Sequence, residues 1–277
     1  MVNFENDQAA GLRRIMAEPK PKVLSVLSAA GNQQHQARTI NNLAATLSEQ
    51  GHEVLVMHAS HLAPSAFKSY GIQTPLSLAD VIQGHTHLYE TIYETPLGFA
   101  TAQLMPSNHI SMPLDKNSAI LMDQAFNQLQ HEYDVILVAA MLNKNHVLPI
   151  PSLNNGEILI QLTCEPESIK QGYTLMKQIY SQLGRRAFGI LVESANDRQA
   201  ALIFRNMEQV ARRYMQIDLE FFGAIPKDEH LSQADKVGRS VVEAFPMAHA
   251  SAAFHALAQR LNYPANIAAD FQTASFI

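Results

Sequence analysis

The chain is expected to be an α/β protein with a doubly wound, mostly parallel sheet and helices on both faces. Two observations predict this. Short, continuous apolar runs rich in Val, Ile and Leu alternate with segments whose apolar residues recur at helical spacing, and this alternation continues from about residue 23 to residue 263. Strands that are apolar throughout belong to sheets covered on both faces, which is the habit of parallel sheets. Composition agrees: 47% of the 277 residues are hydrophobic and 16% charged, enough for a substantial core.

The elements follow in order. Residues 1–22 stand apart: Asn6 and Asp7 mark a helix start, residues 8–16 have helical character, and Glu18, Pro19, Lys20, Pro21 and Lys22 form a stiff linker. Residues 23–28 are a buried strand. Ile40, Leu43, Ala44 and Leu47 then share one helical face, and Gly51 ends that helix. Residues 54–59 are the second strand. A helix carrying Ile120, Leu121, Phe126 and Leu129 precedes a third strand at 134–141.

The second half repeats the pattern. A strand at 157–163 leads to a helix through Ile169, Tyr173, Met176, Tyr180 and Leu183, which Gly184 closes. A strand at 188–193 precedes a helix over about 198–215. A strand at 219–225 is followed near the end by a helix over about 249–261. Three units result: an amino-terminal helix and linker (1–22), one α/β domain (23–263) and a tail (264–277).

The net charge of -5 argues against a general nucleic-acid binder. One cysteine, Cys164, cannot form an internal disulfide, and its position after a strand suits a small core residue. No run of about 18 apolar residues and no charged-then-apolar leader is present, so the expected location is the cytoplasm.

In a doubly wound sheet a phosphate sits at the first strand-to-helix turn, where glycines let backbone N–H groups converge and a Lys and a Ser/Thr complete the site. Here the turn reads Ser28, Ala29, Ala30, Gly31, Asn32, Gln33, Gln34, His35, Gln36, Ala37, Arg38, Thr39. Gly31 is its single glycine, and neither His35 nor Gln36 supplies a lysine's point charge. The turn is expected to bind no phosphate.

At these residues the chain resembles the MinD/ParA-type deviant Walker ATPases, and most of all the flagellar-number regulators usually called FlhG or FleN. The family's loop reads K-G-G-V-G-K-[ST]. Laying the strand in register puts Ala30 at its signature Lys and His35 at its phosphate Lys, whereas counting back from the helix puts Gln36 at the latter. Gly51 to Ser60 resembles G-K-x-V-L-L-I-D-A-D, with His58 and Ser60 at the two aspartates. Tyr133 to Ala139 resembles Y-D-x-I-L-I-D, with Ala139 at the carboxylate that organises magnesium and water. Leu191, Val192 and Glu193 fall where the family has V-N-R, whose Asn contacts the base. Matches without a catalytic role also run through the domain: Leu78 to Gly84 resembles L-x-D-V-L-x-G, Glu165 to Ile169 resembles E-P-x-S-I, and Phe222 to Asp228 resembles F-L-G-x-I-P-x-D. The family uses ATP and magnesium. This chain is expected to use no cofactor and no metal, and to be a pseudo-ATPase.

Residues 7–13 match the family's amino-terminal D-Q-A-x-x-L-R motif position for position. The resemblance implies a helix that activates the signal-recognition-type GTPase FlhF, with Gln8 reaching toward the partner's GTP and Asp7, Ala9, Leu12 and Arg13 in the docking segment. A Gln amide that orients an attacking water is suitable chemistry for GTP hydrolysis. So short a helix is marginal alone, which predicts folding on binding; a frayed terminus is the plain alternative.

Other features are read as structural. His58 with His61, and His85 with His87, lack the companions of a metal site. Arg185–Arg186 and Arg212–Arg213 suit solvated helix ends. In the tail, Ile267, Phe271, Ala274 and Ile277 share a face, but Asp270 is its one charge, so membrane contact is expected to be weak or absent. The resulting expectation is a non-hydrolysing regulator of flagellar number or placement that docks on FlhF, with flagellar basal-body or regulator proteins as further partners and any homodimer independent of ATP. Its place is the cytoplasm or the periphery of the cell pole or inner membrane. A degenerate localisation scaffold of a pilus or secretion system, and a residual ATPase relying on Arg38, are the alternatives.

Overall fold

A computed structural model of the chain describes residues 21–29, 34–61, 63–110 and 114–262. The amino-terminal motif with Asp7, Gln8, Ala9, Leu12 and Arg13, the turn positions Ala30 and Gly31, and the tail from 263 onward lie outside the described residues.

One eight-stranded sheet organises the described chain. In sequence order the elements are β1 (Lys22–Ser28), α1 (Gln34–Glu49), β2 (Val54–Ala59), α2 (Ala63–Ser69), α3 (Leu78–Ile82), β3 (Ile92–Glu94), β4 (Ala100–Gln103), α4 (Lys116–Leu129) and β5 (Val135–Ala140). There follow β6 (Glu157–Thr163), α5 (Pro166–Leu183), β7 (Phe188–Glu193), α6 (Asp197–Tyr214), β8 (Leu219–Ile225), α7 (Glu229–Lys236), α8 (Val241–Ala244) and α9 (His249–Asn262). The spatial order is β3-β4-β2-β5-β1-β6-β7-β8. Every pairing is parallel except β3 with β4. From β1 the chain steps past β5 to β2, and from β5 it steps back across β1 to β6. The carboxyl end of β1 therefore lies where the strand order reverses, the usual place for a ligand in such sheets.

The alternating sides of each strand explain the two helix layers. In β5, Ile136, Val138 and Ala140 point into one core with Met122 and Phe126 of α4, Met176 of α5 and Met207 of α6. Val135, Leu137 and Ala139 point into the other, with Ile40, Leu43 and Leu47 of α1 and Phe254 and Leu257 of α9. All six β5 residues are buried, as are all six of β2. Covering on both faces is why these strands read as unbroken apolar runs.

Six strands and their principal helices lie where the sequence places them. Strands β3 and β4 are not expected from the sequence. Their short, partly polar runs carry little hydrophobic signal, and β4 is pinned by parallel pairing to β2 from Leu55↔Ala100 to His58↔Gln103. The short helices α2, α3, α7 and α8 are likewise additions of the structure. Gly184 ends α5 at φ 74° as the composition predicts.

Three of the motifs that carry the resemblance are local fasteners. The carboxylate of Asp80 accepts from Ser77 N at 2.7 Å and from its hydroxyl at 2.6 Å, opening α3. The Ser168 hydroxyl accepts from Thr163 N at 2.9 Å, turning β6 into α5. Asp228 accepts from His230 N at 3.0 Å and from Ala250 N at 3.0 Å, so one carboxylate starts both α7 and α9.

Candidate functional site

The site is built around the first turns of α1, which face the carboxyl ends of β1, β5, β6 and β7. Gln36 is buried, and its side-chain amide donates to Val26 O at 2.7 Å and to Ala140 O at 3.0 Å. It thereby bridges β1 and β5 from above. One residue earlier, His35 Nδ1 lies 2.7 Å from Glu193 Oε2 at the end of β7. The other Glu193 oxygen accepts a short hydrogen bond from the Thr39 hydroxyl. That hydroxyl in turn accepts from Gln161 Nε2 of β6 at 3.2 Å. Glu193 is 4% exposed, so its carboxylate is solvated chiefly by these neighbours. The hydrogen bond with Glu193 raises the His35 pKa above its usual value; partial burial and the nearby Arg38 oppose that shift. His35 and Glu193 form an ion pair when the ring is protonated.

The other positions aligned with the family's site belong to the packed interior. His58, at the end of β2, stands beside Ala139 of β5, which stands beside Val26 of β1. The His58 ring is 2% exposed and tilts against Phe67 at 5.3 Å and Tyr70 at 6.3 Å. Burial lowers its pKa to about 4, so the ring is neutral at physiological pH, and its Nε2 has no hydrogen-bond partner. His58 is thus part of an aromatic core cluster. Ser60 and Ala139 are buried as well.

The structure brings His35, Gln36 and Glu193 together and sets His58, Ser60 and Ala139 along the adjoining strand ends. Thr39 and Gln161 complete the network, and sequence reading passed over them. The available signal was Gln161, an amide in the middle of the apolar run EILIQLT. Arg38, the cation nearest the turn in sequence, is tied elsewhere: its Nε lies 2.7 Å from Asp235 Oδ2 on α7. Among the described residues no group of three or more His, Cys, Asp or Glu side chains is arranged to hold a metal, and no helix is long and apolar enough to cross a membrane.

Two further expectations need correction or refinement. Arg186 is no solvated helix end: partly buried, it donates to Asn154 O at 2.7 Å and to Gly156 O, clamping the turn before β6. Cys164 is half-buried at the edge of a core cluster.

The residues present fit magnesium triphosphate poorly. The amide at one candidate lysine position is engaged by main-chain carbonyls, the imidazole at the other is engaged by a carboxylate, and that carboxylate would repel phosphate across the same turn.

No family model matches the chain. It is 29% identical over 231 residues to the antiactivator FleN of Pseudomonas aeruginosa, covering 81% of this chain and 82% of that protein. Its fold is similar to that of MinD in the MinC:MinD cell division complex of Aquifex aeolicus, with TM-score 0.64, 18% identity and coverage of 87% and 95% of the two chains. A ParA family ATPase of Chlorobium tepidum is similar at TM-score 0.63 and 18% identity, covering 88% and 99%. The chain is MinD/ParA-like in fold and FleN-like in sequence.

Proposed function

We propose that this chain is a MinD-like regulator of flagellar number or placement that works without an ATP switch of its own. The observation that carries the second half is the commitment of the first turn of α1. Gln36 holds the Val26 and Ala140 carbonyls where a lysine would reach phosphates, and the Glu193 carboxylate occupies His35 and Thr39. Binding Mg-ATP there would require breaking four internal hydrogen bonds and would gain no lysine. The similarity to FleN over four-fifths of the chain supports the flagellar half of the reading.

The remaining activity is placed at the amino terminus. Asp7, Gln8, Ala9, Leu12 and Arg13 dock on an FlhF-type GTPase, and Gln8 stimulates hydrolysis of the partner's GTP by orienting water. The α/β domain serves as the scaffold that delivers this segment, and any dimer it forms is independent of ATP.

Calorimetric titration with Mg-ATP tests the first claim: no binding is expected in the micromolar range, and a micromolar Kd sinks it. A GTPase assay on the partner tests the second. Stimulation is expected from the intact chain and should vanish with Gln8→Ala; unchanged stimulation removes the activator role.

A further inference from the structure

Along α1 lies a second feature, a cleft of about 330 Å³. Its walls are α1, α2 and the turn after α7, and Tyr70 and Leu97 give it an apolar patch. The volume falls in the range of small-molecule sites, roughly 300–1,000 Å³. Its polar lining is dominated by hydrogen-bond donors. Arg38 engages Asp235 through Nε at 2.7 Å, and Arg239 engages Glu243 through one terminal nitrogen at 2.8 Å. A guanidinium carries five N–H donors in a planar fork, so one ion pair on each leaves an edge for a further acceptor. Asn41 accepts the Tyr70 hydroxyl at 2.6 Å with its Oδ1, which fixes the carboxamide and leaves its NH2 to donate.

Each guanidinium is matched by one carboxylate, Arg38 by Asp235 and Arg239 by Glu243, so what the cleft offers is unspent N–H donors rather than net charge. A donor-rich surface beside an aromatic wall suits a ligand with an oxyanion at one end and an apolar body at the other.

We propose that this cleft binds a small molecule carrying a carboxylate or phosphate group, held by the forks of Arg38 and Arg239 and seated against Tyr70 and Leu97. The site is separate from the degenerate turn but shares α1 with it, since Arg38 lies three residues from His35. A bound oxyanion would offset the positive charge of Arg38, which now disfavours protonation of His35. Ligand binding therefore strengthens the His35–Glu193 pair from one turn further along the helix.

The test uses the full chain at low salt, with phenyl phosphate and benzoate as probes and benzyl alcohol as the neutral counterpart. Saturable one-site binding of phenyl phosphate or benzoate is expected by calorimetry, with no binding of benzyl alcohol; the tighter probe identifies the group as phosphate or carboxylate. Arg239→Ala, an exposed change at the rim, should weaken binding about tenfold or more. The His35 ring, followed by NMR, should titrate at higher pH when the probe is bound. Absence of binding by both anions, equal binding of the neutral probe, or unchanged affinity in Arg239→Ala overturns the proposal.

Discussion

His35 Nδ1 and Glu193 Oε2 stand 2.7 Å apart although 158 residues separate them in the chain. This pair joins the start of α1 to the end of β7 across the turn where a related ATPase would cradle phosphate. It places a carboxylate of the protein itself beside the helix that would otherwise attract an external anion. The consequences are measurable through stability.

The pair should make stability depend on pH with a definite sign. Because the His35 pKa is raised in the folded state, its contribution is fully present below the unfolded value near 6.5 and is lost as pH rises through the folded value. Thermal unfolding from pH 6 to 8.5 should show His35→Ala most destabilising at the acid end, with the difference from the unsubstituted chain shrinking as pH rises. A difference that grows with pH would contradict the assignment.

Glu193→Ala removes the acceptor for both Thr39 and His35 in a buried setting and should cost about 2–4 kcal/mol. Glu193→Gln preserves an acceptor for Thr39 and should recover part of this loss while abolishing the pH dependence tied to His35. Chemical denaturation of both variants at two pH values distinguishes electrostatic pairing from simple space filling.

Gln36→Ala deletes the two bonds to Val26 and Ala140 and should lower stability by about 1–3 kcal/mol. Gln36→Lys tests a different point. The lysine would bring a charge under α1 without restoring the other family residues, so Mg-ATP affinity by calorimetry should remain outside the micromolar range.

His58 should have the opposite pH signature to His35. Its folded pKa of about 4 lies below the unfolded value, so its neutral ring favours the native state above pH 6.5, and stability falls as pH drops from 6.5 toward 4, by up to about 3 kcal/mol. His58→Phe removes the unpartnered Nε2 among Phe67 and Tyr70. Measured melting temperatures should show His58→Phe flattening the acid limb of the stability profile.

A Cβ on Gly156 would lie 2.9 Å from the Val23 carbonyl oxygen, a backbone atom of β1 that cannot swing aside. Gly156→Ala is expected to cost about 1–3 kcal/mol by urea unfolding, whereas Gly98, whose nearest neighbour would be the Ser48 hydroxyl at 3.5 Å, is limited by its φ of 87° instead.

Much of the fold was legible because burial leaves a periodic trace. The runs at β1, β2, β5, β6 and β7 are largely apolar because helices cover both faces, the edge strand β8 is apolar apart from an exposed Glu220, and α5 carries its own stop in Gly184. The hairpin of β3 and β4 was not legible. Ala100 to Gln103 contains no large apolar residue, and its pairing depends on β2 rather than on its own composition.

The sequence by itself determined six of the eight strands with their principal helices, and showed that Ala30, His35, Gln36, His58, Ser60 and Ala139 stand where the family it resembles has lysines and aspartates. Only the tertiary structure decided what the described ones among them do. It turned Gln36 onto two strand carbonyls, buried His58 among aromatic rings, made Arg186 a clamp, and brought Glu193 to His35 and Thr39. The reason is range: hydrophobic periodicity is fixed by neighbours a few residues apart, whereas a hydrogen bond across 158 residues exists only once the sheet has set its strand order.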